Sequence, residues 1–85
     1  MVETEITFHN KANLRVQAQI FTDGTLASTY VADPDEVCIL TTTSTRYDIF
    51  FKNGLSGWEV GRKLNSEAKK HTLSQQKGRF AVTSS

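Results

Sequence analysis

Apolar and polar residues alternate in short runs along most of this chain. Between Val2 and Phe8, Val2, Ile6 and Phe8 share one side, while Glu3, Glu5 and Thr7 share the other. This period of two belongs to a strand buried on one face. His9 to Asn13 is mostly polar and reads as a turn. Leu14 to Ile20 alternates again, with Leu14, Val16, Ala18 and Ile20 inward and Arg15, Gln17 and Gln19 outward.

Asp23-Gly24 between two such runs predicts a hairpin. A two-residue loop pairs Thr22 with Thr25 and turns Ala27, Thr29 and Val31 inward. A three-residue loop, Thr22 to Gly24, pairs Phe21 with Thr25 and turns Leu26, Ser28 and Tyr30 inward, because one residue of register exchanges the faces. The longer loop is preferred, since it buries Leu26 and Tyr30 and gives Gly24 the left-handed position. Asp33-Pro34-Asp35 ends this strand, as the residue before a proline is driven extended.

A central strand pair is expected next, Glu36 to Thr43 with Arg46 to Lys52. It contains the longest apolar run, Val37-Cys38-Ile39-Leu40, and the hydroxyl tract Thr41 to Thr45. Ile49-Phe50-Phe51 lacks alternation and so predicts a strand covered on both faces. Asn53-Gly54 is a second turn. From Trp58 to Leu64, Trp58, Val60 and Arg62 are expected on one face, and Gly61 marks a bulge. Asn65 to Lys70 predicts one helical turn capped by Ser66. His71–Gln75 and Arg79–Thr83 form a last hairpin around Gln76-Lys77-Gly78. Seven or eight short strands predict an all-β chain, a single small antiparallel β-sandwich over residues 1–85, with a partly open β-barrel as the alternative.

The strand ending Phe8-His9-Asn10, the Asp-Gly hairpin, the Pro-Asp turn and the Tyr47-Asp48-Ile49 strand resemble small prealbumin-type or lectin-type sandwiches over about half the chain. No functional residue follows from that resemblance.

Size and composition narrow the picture. A single domain of 85 residues has a marginal core, which disulfides, metal or association can supplement. Cys38 is the only cysteine, so an intramolecular disulfide is excluded, and no His/Cys cluster has zinc spacing. Association with another copy or a protein partner is the remaining supplement. Within its apolar run Cys38 reads as a small buried hydrophobe. Without a disulfide framework, a signal-like start or an apolar run near the ~20 residues of a membrane helix, the expected location is cytoplasmic. A secreted chain with its signal removed would look the same.

The net charge of +1 hides an asymmetry: residues 1–42 sum to −4 and residues 43–85 to +5. Interleaving of acidic and basic strands in one sheet is the expected explanation, because sequence halves of a sandwich are rarely spatial halves.

Candidate chemistry is sparse. Leu55-Ser56-Gly57 lacks the strand-to-helix setting of a nucleophile elbow. A set of Cys38, His71 and Asp48 arises by chance composition. Asp33, Asp35 and Glu36 read as a solvated turn, short of the six to eight oxygens calcium takes. His9 and His71 are expected on the surface. No enzyme, metal or cofactor is expected.

The leading expectation is a non-enzymatic binding or protein-interaction module that self-associates. One alternative is recognition of nucleic acid or another polyanion by the basic C-terminal third, where Arg62, Lys63, Lys69, Lys70, His71, Lys77 and Arg79 lie near Trp58 and Phe80. There Trp58 and Phe80 are expected in the core, and net charge falls short of a strongly basic domain. Another alternative is lectin-like carbohydrate binding, with Trp58 between Asn53 and Glu59. Candidate contact residues are therefore Tyr47, Asn53, Trp58, Glu59, Arg62, Lys63, Lys69, Lys70, His71 and Arg79.

Overall fold

In the computed structural model, which describes residues 3–85, eight strands form two stacked sheets. The strands are β1 (Thr4–Lys11), β2 (Val16–Thr22), β3 (Thr25–Ala32), β4 (Val37–Thr42), β5 (Tyr47–Asn53), β6 (Glu59–Ser66), β7 (Lys70–Gln76) and β8 (Arg79–Ser84). One sheet has the order β4-β1-β7-β8 and the other β3-β2-β5-β6, so the chain is a β-sandwich with two open sheets. Every pairing is antiparallel except β1 with β7, which is parallel. The expected inward position of Val2 lies outside the described residues.

The alternating residues meet between the sheets. Ile6 and Phe8 of β1 and Leu73 of β7 face Val16, Ala18 and Ile20 of β2 and Ile49 and Phe51 of β5, all essentially inaccessible to water. The Phe8 and Phe51 rings, one from each sheet, lie 4.9 Å apart between centroids.

Several local expectations change. β1 continues through His9 and Asn10 to Lys11, so the polar stretch there is mostly strand. Asn10 is fully buried. Its side chain donates to Leu14 O at 2.9 Å and Ala32 O at 3.0 Å, and accepts from Ala12 N at 3.0 Å. A polar residue enters the core here because it satisfies backbone groups that strand ladders leave free. Asn10→Ala is expected to lower the urea-measured unfolding free energy by about 1–3 kcal/mol, the cost of orphaning buried partners; a loss under about 0.5 kcal/mol would mean water replaces all three bonds.

The first hairpin has the shorter loop. Thr22 pairs with Thr25, and Asp23 and Gly24 both take positive φ, 51° and 78°. The primed turn matches the strand twist, and Asp tolerates the left-handed region better than most residues. A register shift beyond Phe21 leaves Ala27 unpaired and sets Ser28 opposite Ile20. The bulge restores the inward side to Ser28 and Tyr30, yet Tyr30 is exposed because β3 is an edge strand, and Leu26, paired with the outward Phe21, lies on the outer face.

The expected central pair does not exist as a pair. β4 is the edge of one sheet and β5 lies inside the other, so Thr43 to Arg46 cross between the layers. Phe50 is not capped by a further layer; Phe21 meets it edge-on at 5.5 Å, and the Arg62 guanidinium stands 5.3 Å from its ring centre. No helical turn forms at Asn65–Lys70, since β6 runs to Ser66 and β7 begins at Lys70. The bulge expected near Gly61 is present: Phe51 pairs with Gly61 and Lys52 with Glu59, leaving Val60 extra.

The charge asymmetry also has a different origin. β1 to β4 occupy one side of both sheets and β5 to β8 the other, with β3 packed beside β4 and β6 beside β8. Sequence halves are spatial halves, and the −4 and +5 portions face opposite ways.

Candidate functional site

The ten expected contact residues do not converge. Tyr47 and His71 are core residues, with His71 wholly buried rather than on the surface. Their alternation places them between the sheets, Tyr47 on β5 and His71 on β7. His71 Nδ1 lies 2.7 Å from Ser84 Oγ, and Nε2 lies 2.7 Å from Tyr47 Oη, which also donates to Ala68 O. Tyr47 has one proton, given to Ala68 O, so Nε2 carries the proton that bonds Tyr47, and Ser84 donates to Nδ1. Burial, with the nearby Lys63 charge, holds the imidazole neutral down to a pKa of about 4.

Cys38 is buried, and burial, with Glu36 adding to it, pushes its thiol up to about 11. It is no nucleophile at neutral pH. Phe8 of β1 pairs with Cys38 on one side and with His71 on the other, so a ring intervenes between them. Asp48 lies in the opposite sheet, where its carboxylate accepts from Asn65 N.

The basic residues spread over separate surfaces. Arg62 lies on the outer face of β5–β6, bonded to Glu59 at 2.7 Å. Lys63 is exposed on the edge strand β6. Lys69 and Lys70 sit where β7 begins, and Lys77 and Arg79 at its far end, roughly 20 Å away at the usual rise of a strand. Together they track no single groove.

The Asn53–Trp58 loop departs most from expectation. Trp58 is 78% exposed and Leu55 88%, so the expected inward Trp58 is overturned. The loop is tightly built. Asn53 Oδ1 accepts from Leu55 N at 2.8 Å and Ser56 N at 3.2 Å, Gly57 N donates to Asn53 O, and Ser56 Oγ accepts from Trp58 N. Gly57 has φ +79°, and a side chain at Gly54 would strike the backbone of Arg15. β6 begins at Glu59, opposite Lys52, so Trp58 belongs to the loop before the strand, where its carbonyl accepts from Asn53 N and its side chain stands in water.

One feature went unseen in the sequence. Leu26, Tyr30 and Val31 of β3 and Val37 and Ile39 of β4 are exposed, Val37 and Ile39 each at 55%, along the side where the two edge strands meet, with Leu26 and Val31 on the outer face of one sheet and Val37 and Ile39 on the outer face of the other. That side is closed by Thr41 N donating to Ser28 Oγ at 3.3 Å and the Tyr30 hydroxyl donating to Glu36 at 3.0 Å. No charged residue occurs from Thr25 to Ala32 or from Val37 to Thr45. The absence of charge was readable; that the two segments are adjacent edges was not.

Among the described residues no helix is long and apolar enough to cross a membrane. Comparison with protein-family models finds no match, and comparison with curated proteins finds none of significant similarity.

Proposed function

We propose that this domain is a non-enzymatic protein-interaction module that self-associates through the side formed by β3 and β4. The observation that carries the reading is the uncharged pair of edge strands with five large apolar side chains in water. Sheet edges in soluble proteins are usually guarded by charge, proline or bulges. β6, the opposite edge, carries Glu59, Arg62 and Lys63 and two register shifts. β3 has only the bulge at its hairpin end, leaving Thr29 to Val31 regular and exposed. A second copy suits this side because two uncharged edges meet without like-charge repulsion, and a two-fold contact joins each to itself.

Sedimentation equilibrium at high micromolar concentration is expected to show a dimer. Val31→Lys is expected to weaken it about tenfold or more by placing a charge on the shared edge. A wild-type monomer at that concentration defeats the reading.

Carbohydrate binding draws support from the exposed Trp58, but Asn53 Oδ1 is taken by the loop backbone and Glu59 by Arg62. The polyanion alternative has the basic half in its favour and the scatter of its lysines against it.

A further inference from the structure

We propose that the Asn53–Trp58 loop docks the domain onto an anionic lipid bilayer surface. Leu55 and Trp58 are the two most exposed of the large apolar residues, and they lie three positions apart in one tight loop. The loop is held by hydrogen bonds and by two glycines in special settings, so it cannot fold these side chains back over the sheet. A rigid loop that keeps a leucine and a tryptophan in water presents them to something apolar. Tryptophan prefers a boundary between apolar and wet surroundings, where its ring is buried and its N–H stays hydrated.

The charges around the loop select the kind of surface. β1 and β7 run parallel, and β5 pairs antiparallel with β2, so the β5–β6 loop and the β7–β8 hairpin leave the sandwich at the same end. Arg15 O accepts from Gly54 N and Gln75 accepts from Asn13 N, which ties that end together. β6 lies beside β8, so both features belong to the same corner. That corner carries Lys52, Arg62, Lys77 and Arg79 against Glu59, and the strands behind it form the half that sums to +5. Apolar side chains at a tip with cations behind them match an anionic headgroup layer over hydrocarbon. A nucleic acid would use Trp58 and the cations but would leave Leu55 without a role. The acidic turn with Asp33, Asp35 and Glu36 leaves the same end of the sandwich at the opposite corner, with Asp33 paired to Arg15, so the domain would dock tilted onto its β6–β8 corner.

Trp58 is the only tryptophan, so its fluorescence reports on this loop directly. Titration with vesicles of phosphatidylserine and phosphatidylcholine is expected to shift its emission to the blue and to shield it from iodide. Pure phosphatidylcholine is expected to do much less. Leu55→Ser is expected to weaken binding roughly tenfold through lost apolar burial, and a Lys77→Glu, Arg79→Glu double variant by about tenfold or more through charge. Both changes lie at exposed positions, and circular dichroism checks that the fold is kept. The proposal is overturned if anionic vesicles leave the emission unchanged. It is equally overturned if Leu55→Ser binds as well as wild type, which would mean simple charge attraction, or if single-stranded DNA alone produces the shift. Because the loop and the β3–β4 side lie at opposite sides of the sandwich, neither outcome bears on self-association.

Discussion

Phe51→Ala is expected to lower the unfolding free energy by roughly 3–5 kcal/mol. Phe51 is fully buried on β5 and stacks at 4.9 Å on Phe8 of the facing sheet. It also neighbours the His71 ring at 6.2 Å and sits opposite Gly61, whose missing side chain lets β6 approach Val82. Removing the ring leaves a cavity between the sheets, where β5 meets β1, β6 and β7. The surroundings relax poorly, because the strand ladders hold the backbones in register. A domain of this size has a total stability of about 5–10 kcal/mol, so the variant is expected to be largely unfolded near 40 °C. Phe50→Ala is the control, one residue along on the outer face. It removes the edge contact with Phe21 and the Arg62 cation beside it, and should cost about 1 kcal/mol. Thermal unfolding followed by far-ultraviolet circular dichroism measures both; Trp58 is too exposed to report on the core. Equal losses would show that the two faces of β5 have been assigned wrongly.

Acid is expected to destabilise the domain through His71. Its pKa is about 4 in the folded protein against an ordinary 6.5, lowered first by burial and then by Lys63. Between those values the unfolded chain binds a proton that the folded one refuses, so stability falls as pH drops from about 6.5 to about 4. Above about 6.5 the contribution is complete. The gap corresponds to up to about 3 kcal/mol. The structural cause is burial of the imidazole between the sheets, where it bonds Ser84 and Tyr47 as a neutral ring and a second proton would put a charge out of water near Lys63. His71→Gln is expected to be less stable at pH 7 and to lose most of the dependence between pH 6.5 and about 4, bounds set by the His71 values. Urea unfolding of both proteins across that window tests this. Parallel pH curves would assign the acid sensitivity to the carboxylates.

These experiments concern residues that the sequence placed unequally well. Phe51 was legible as part of an apolar strand, but not that only one of two adjacent phenylalanines reaches the core. His71 falls on the inward side of an alternating strand with Leu73, a pattern the chain does contain. A lone histidine nonetheless reads as surface, because burial requires partners, and Tyr47, Ser84 and the Ala68 carbonyl are distant in sequence. Trp58 shows the reverse error. Its hydrophobicity argued for the core, but β6 begins only at Glu59, which leaves Trp58 in the loop before the strand.

The sequence by itself determined the all-β class, most strand positions, the turns at Asp23-Gly24, Pro34 and Lys77-Gly78, and the packing role of Cys38. All of these follow from local properties: side-chain alternation, the conformational range of Gly, Asp and Pro, and composition. Only the tertiary structure decided that β4 and β5 lie in different sheets, that β1 and β7 run parallel, and that the acidic and basic halves face apart. It alone made neighbours of the uncharged strands β3 and β4 and put Leu55 and Trp58 into water. The physical reason is that strand pairing is set by contacts between residues far apart in the chain. A single bulge then changes which face a side chain occupies without altering the alternation around it.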